Sequence, residues 1–199
     1  MSTIPNEEEC LRLLSGAGAA DRVIKHVCTV MMVANAIAAS CHADRDLVRA
    51  GALLHDIGRS KVHGNKHSAV GAEIARDLGL PDAVVNIVRK HMGAGFTPEE
   101  AAAMGLPPGD YMPSTLEEKI VCHADNLVAD DRIMKVSGSI EDARRKGYAG
   151  TAERMAAMHS ELSAACGEDV DLIVSRVDLS SHQGPCARYL RMPIDKWHG

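Results

Sequence analysis

Leu53-Leu54-His55-Asp56-Ile57-Gly58-Arg59 decides how the rest of this 199-residue chain is read. A histidine and an aspartate stand side by side at the end of an apolar run, with a glycine and a cation after them. Neighbouring side chains on a helix point about 100° apart, so the pair cannot both serve packing. Two such groups suit a shared partner, and a metal ion accepts an imidazole and a carboxylate together. That reading requires further ligands elsewhere in the chain.

Upstream, Asn6 with Glu9 forms a capping arrangement for a short helix to about Leu14, broken by Ser15-Gly16-Ala17-Gly18. From Ala20 to about Ser40, Val23, His26, Val30, Val33 and Ile37 recur at helical steps. Asp44 caps a third helix running to His55. Downstream, the glycine-bearing segment from Gly58 to Lys66 reads as a loop, and helices follow from His67 to Leu78 and from Pro81 to His91. Thr97-Pro98-Glu99-Glu100 opens a short helix that stops near Gly105, and Leu106 to Pro113 is loop. Ser114-Thr115-Leu116-Glu117 opens a long helix expected to run towards Val136, where Ser137-Gly138-Ser139 breaks the chain. Two more helices are expected near Ile140–Lys146 and Gly150–Cys166. After Val170 to Val177 comes an extended or loosely docked tail. No alternating strand pattern occurs. The fold expected is all-α, a single-domain helical bundle with a metal site in its core.

Composition agrees with close-packed helices: one Trp, one Phe and three Tyr leave Ala, Leu, Met and Val to fill the interior. The formal charge of −5 excludes a surface built for polyanions, so any cation that meets phosphate must be local. Six cysteines occur without a CxxC and mostly inside apolar helical patterns, which reads as free thiols in a reducing, cytoplasmic setting. The acidic start, Met1 to Glu9, is no signal peptide, and no apolar run is expected to reach the roughly 20 residues of a membrane span, so the protein is expected to be soluble.

Two further ligands emerge from periodicity. His26 shares its stripe with Val23, Val30, Val33 and Ile37 and therefore faces inward. Asp125 lies within a turn of Val121, Cys122 and Val128, where a carboxylate is costly unless paired or metal-bound. A salt bridge to Arg132 is the alternative for Asp125, and a satisfied core position the alternative for His26. With His55 and Asp56 they give two imidazoles and two carboxylates, a set that suits Fe, Mn, Zn, Co or Mg and leaves positions for water and substrate.

This arrangement resembles the HD-domain superfamily of metal-dependent phosphohydrolases, in its HDIG-type branch. Leu54-His55-Asp56-Ile57-Gly58 matches the signature word, His26 the upstream histidine and Asp125 the distal aspartate. His67-Ser68-Ala69-Val70-Gly71-Ala72-Glu73-Ile74 is similar to the family's histidine-led helix, and Ile87-Val88-Arg89-Lys90-His91 to the helix that ends in histidine. The likeness covers roughly Asp21 to Arg132. The run His91-Met92-Gly93-Ala94-Gly95-Phe96-Thr97, together with the stretches after Thr115, resembles a small, mainly archaeal set of stand-alone HDIG proteins. The organisation expected is an N-terminal helix and turn over 1–18, the HD domain over 19–136, and C-terminal helices and tail over 137–199 packed on the same domain.

The resemblance implies one or two divalent metal ions. One would take His26, His55, Asp56 and Asp125; the other would take His67 and His91, with Asp56 as the bridge. It implies a phosphoric ester hydrolase in which metal-activated hydroxide attacks a small phosphate ester, such as a nucleotide or cyclic phosphate. His55, Asp56 and Arg59 would be the catalytic residues. Arg59 stands where many relatives carry lysine and suits a bidentate grip on phosphate, with Lys61 and Lys66 as weaker phosphate-binding candidates. His42, His63 and His123 match no motif position and are expected at the surface or behind the ligands. After His91 there is no Gly-Tyr-Pro, which argues against cyclic-dinucleotide hydrolysis, and so few aromatics argue against a nucleic-acid polymer as partner. Neither a membrane nor a sensing domain is expected; self-association is compatible with the chain. The alternatives are a non-catalytic module that binds a nucleotide or protein partner, and a di-iron HD oxygenase.

Overall fold

The fold is built on α2, Asp21–Cys41, whose residues are buried on nearly every side. The structure is a computed structural model that describes residues 3–193. By length and composition α2 would also cross a membrane, with a mean hydropathy of 1.5, which corrects the expectation that no run is long enough. Yet 67% of that window lies inside the molecule, so its apolar surface is matched by protein.

Around it pack α3 (Arg45–Leu54), α7 (Leu116–Asn126) and α9 (Ala149–Cys166), while α1 (Glu7–Ala17) covers α3. Asp44 starts α3, its carboxylate accepting from the amides of Asp46 and Leu47 at 3.0 and 3.1 Å. α3 ends at Leu54, and a single 3₁₀ turn, Ile57–Ser60, carries the chain away from His55-Asp56. α4 (His67–Asp77) and α5 (Asp82–Lys90) form a pair that closes against this turn and α3. Gly58 allows that closure: a Cβ there would overlap the carbonyl oxygen of His67 and stand 2.7 Å from the Gly71 amide nitrogen. α6 (Pro98–Ala103) and the loop after it hold a small second apolar cluster of Ala69, Phe96, Ala101, Leu106 and Tyr111.

The expected all-α fold is found, with one small exception. The helix opened by the Thr115–Glu118 capping box stops at Asn126, well short of Val136. A two-stranded antiparallel hairpin follows, β1 (Val128–Ala129) on β2 (Arg132–Ile133), turning through Asp130 at φ 57°. Asp130 and Asp131 earn that turn through long-range partners, the His26 ring and the Lys25 ammonium, which no local pattern reveals. Ser137-Gly138-Ser139 is no break either, for it lies inside α8 (Val136–Arg145), where the Ser139 hydroxyl donates to the carbonyl of Asn126.

The cysteines also differ from expectation. Cys28 is joined to Cys186 and Cys41 to Cys166, leaving Cys10 and Cys122 as buried free thiols. Each bond ties the far C-terminal region back to α2. Spacing hid this because the partners are 158 and 125 residues apart. The tail is correspondingly docked rather than extended: α10 (Val170–Val174) and α11 (Ala187–Leu190) lie on α2, and the Lys25 ammonium donates to the Met192 carbonyl at 2.6 Å. The expectation for 194–199 lies outside the described residues.

Candidate metal centre

The six residues singled out as ligands come from five helices or helix ends and converge on one point. His26 is on α2, His55 and Asp56 follow α3, His67 begins α4, His91 follows α5, and Asp125 is near the end of α7. Asp56 stands in the middle. Its Oδ2 lies 3.8 Å from His55 Nε2 and 3.9 Å from His26 Nε2, and its Oδ1 lies 3.0 Å from His67 Nε2 and 3.6 Å from His91 Nε2. Asp125 Oδ1 faces His26 Nε2 at 3.0 Å and His55 Nε2 at 3.4 Å. The alternative partner for Asp125, Arg132, is not among its ion pairs.

Every one of the four imidazoles is turned the same way. Nδ1 of His26 donates to the Asp130 carbonyl at 2.6 Å, that of His55 to Ala52 at 2.7 Å, that of His67 to Gly64 at 2.6 Å and that of His91 to Val88 at 2.7 Å. A carbonyl only accepts, so Nδ1 carries the proton and a neutral ring aims its Nε2 lone pair inward. His67 Nε2 and His91 Nε2 consequently face each other at 3.0 Å. His55 Nε2 and Asp56 Oδ1 are buried without a hydrogen-bond partner. Converging lone pairs and orphaned buried acceptors call for a cation among them. The donor set fits a divalent ion, and two groups of it, His26, His55 and Asp125 and then His55, Asp56 and His91, have ligand atoms within 4.8 Å of one another. When bound, such an ion acts as a Lewis acid towards phosphate and acidifies a bound water.

Electrostatics follow from the same geometry. Burial opposes charge on His26, but its hydrogen bond to Asp125 and the pull of Asp125 and Asp56 outweigh it and raise the ring to about 9. Burial, with His55 and His67 nearby, pushes His91 down to about 3. Burial also works against both carboxylate anions. The His55 ring, the His67 contact to Asp56 and the His26 contact to Asp125 prevail, holding both acids below the usual range.

The centre opens into a cavity of about 1210 Å³. Arg59 lines it, with Nε donating to Asp56 Oδ2 at 2.6 Å, so the guanidinium is anchored beside the cluster. Lys61 and Lys66 are exposed and do not line the cavity; His63 and Asn65 of the same loop do. His63, expected at the surface or behind the ligands, is exposed and stands on the cavity wall. Two cavity residues that periodicity did not single out are Arg22 and Arg132, exposed and without an acidic partner among the described residues. His123 lies outside the cluster, buried against His159, with Nε2 and Nδ1 of the two rings 3.1 Å apart.

Comparison with known proteins gives four findings. The HD-domain family model matches residues 23–130. A tRNA (cytidine(56)-2'-O)-methyltransferase of Thermoplasma volcanium is 51% identical over 85% of this chain, which spans half (50%) of that relative. An uncharacterized protein of Methanocaldococcus jannaschii is 43% identical over 62% of this chain and 82% of its own length. Among solved structures, the HD domain of the L. monocytogenes phosphodiesterase PgpH in complex with cyclic-di-AMP matches 87% of this chain and 98% of its own. It does so with a TM-score of 0.53 at 17% identity, a likeness of fold. The expectation that the chain is itself a phosphoric ester hydrolase is overturned by the Thermoplasma relative, whose name is that of a transferase. The motif words identify a fold, and a fold does not fix a reaction.

Proposed function

This chain belongs to the HD-domain family, and from that premise we propose that its centre holds one or two divalent metal ions and through them binds the phosphate of a nucleotide or cyclic phosphate. His26, His55, Asp56 and Asp125 would hold one ion, and Asp56, His67 and His91 the second. Arg59 would grip the phosphate beside them. The observation that carries this reading is the common orientation of the four imidazoles, each locked by a main-chain carbonyl so that Nε2 faces the two carboxylates. Arg22 and Arg132, without an acidic partner among the described residues, add positive charge to a cavity of a chain that is otherwise acidic.

The chain's own residues suffice to bind, orient and partly desolvate the ester. The carboxylates supply the negative charge that retains a cation, and Arg59 keeps Asp56 in place while leaving its terminal nitrogens for the ligand. The name of a relative puts tRNA beside this fold, so a phosphate borne by RNA belongs among the ligands to be tried. The test is calorimetric titration of the full chain with a nucleoside monophosphate, with the metal present and after chelation. Binding that requires the metal supports the reading. Equal binding with and without metal would sink it. Analysis of the ligand recovered afterwards shows whether it is released unchanged.

A further inference from the structure

Tyr148 is one of three large hydrophobic side chains that stand exposed among the described residues, at 47%, and of the three it alone lines the cavity. It lies beyond the stretch matched by the HD-domain family. Its place is fixed on both sides. Gly147, at φ +84°, ends α8, the Tyr148 amide donates to the Ala143 carbonyl at 2.9 Å, and the Tyr148 carbonyl accepts from Ala152 as α9 begins. An exposed ring on a rigid turn loses little freedom when something stacks on it.

The rest of the wall suits the same partner. Met92, Phe96, Met104 and Met155 give the cavity an apolar, polarizable side. Arg145 and Lys146, just before Tyr148 in the chain, line it too, and among the described residues both pair only with Asp142, through ion pairs exposed enough to be weak. The cavity, at about 1210 Å³, is larger than a phosphate or a sugar phosphate needs. A flat aromatic with phosphate attached matches this combination: an apolar face for stacking, cations at the rim, and a phosphate site elsewhere in the same space.

We propose that Tyr148 is the base-stacking residue of this cavity, so that its ligand is a nucleoside phosphate with the base on the Tyr148 ring and the phosphate at the His/Asp centre. The assignment rests on the phosphate-binding reading given above and names the ligand class for it. A free mononucleotide and the nucleotide of a short RNA share this chemistry.

The test uses the metal-loaded full chain and four probes: adenosine, AMP, ribose 5-phosphate and an RNA trinucleotide. AMP is expected to bind more tightly than ribose 5-phosphate. Tyr148→Ala is expected to weaken AMP and adenosine about tenfold, as loss of one stacking contact does, while leaving ribose 5-phosphate unchanged. Tyr148→Trp is expected to retain AMP, with its new fluorescence quenched by the base. If the trinucleotide shows the larger loss in Tyr148→Ala, the ligand is borne by RNA; if AMP does, it is a free nucleotide. Equal affinity for AMP and ribose 5-phosphate in the native chain, or equal weakening of both by Tyr148→Ala, would overturn the proposal. Adenosine reads the stacking subsite without the metal centre, and ribose 5-phosphate reads the metal centre without the subsite, so the two failures are told apart. Circular dichroism checks that the exposed substitution leaves the fold intact.

Discussion

Four imidazoles that each give a proton to a main-chain carbonyl are committed to one tautomer before any ligand arrives. This preorganisation has a cost, because Nε2 of His67 and of His91 then meet lone pair to lone pair at 3.0 Å. The Asp56 oxygens, each facing a pair of rings, bring further acceptors to the same point, so the cost is one that a cation would relieve. His26 is the ring most drawn into charge, its pKa raised from 6.5 to about 9. Protonated His26 therefore helps the metal-free fold fully below pH 6.5, and that help fades as pH rises through 9. A metal must displace that proton, so uptake should tighten as pH rises towards 9 and level off above it. Addition of metal at pH 7.5 in weak buffer should release about one proton per chain, read with an indicator dye; no release would contradict the assignment. Gly58 is the other residue on which the centre turns. Gly58→Ala forces a methyl into the His67 carbonyl and should cost about 3 kcal/mol in denaturant unfolding by overpacking. A loss under about 1 kcal/mol would show that the turn yields more easily than its contacts suggest. His26 and Asp125 were legible because a polar group on an apolar stripe stands out. The carbonyl behind His26 was not, since it belongs to Asp130, 104 residues away.

Helix starts were read well because their chemistry is local: Asn6, Asp44 and Thr97 cap through side chains within three residues, and the next cap, Thr115 with Glu118, lies one residue on from the expected Ser114-to-Glu117 box. The stretch after Asn126 was misread for the opposite reason. The Asp130-Asp131 turn is held by Lys25 and His26, and the Ser137-Gly138-Ser139 helix by Asn126, contacts that a window of sequence does not contain. The same holds for the cysteines, whose helical spacing suggests packing while two bonds join them across the molecule. The Cys41–Cys166 bond closes a long loop and restricts the unfolded chain, which is worth roughly 2–4 kcal/mol. Under oxidising conditions Cys166→Ser should lower stability by about that amount in chemical unfolding. In excess reductant the variant and the native chain should unfold alike. Equal stability in both conditions would mean that the bond does not form in solution.

At the scale of the whole molecule, an acidic helical protein places Arg22 and Arg132, the open edge of its His/Asp cluster at His26, Asp56 and Asp125, and an exposed tyrosine around one cavity. The HD signature gave the architecture and pointed to the His and Asp residues that converge, since buried polar groups on successive helices are a pattern sequence carries. The cavity's far wall comes from α8 and α9, beyond the matched stretch, and there residue spacing holds no sign of the ligand. Nor does the fold settle the reaction, as the transferase name of a relative half identical to this chain makes plain. The most direct test is elemental analysis of the purified full chain beside Asp56→Ala, with both folds checked by circular dichroism. One or two divalent ions per native chain, and their loss from folded Asp56→Ala, are the predicted result. A folded native chain that takes up no divalent ion, or an Asp56→Ala variant that retains the full complement, would contradict it.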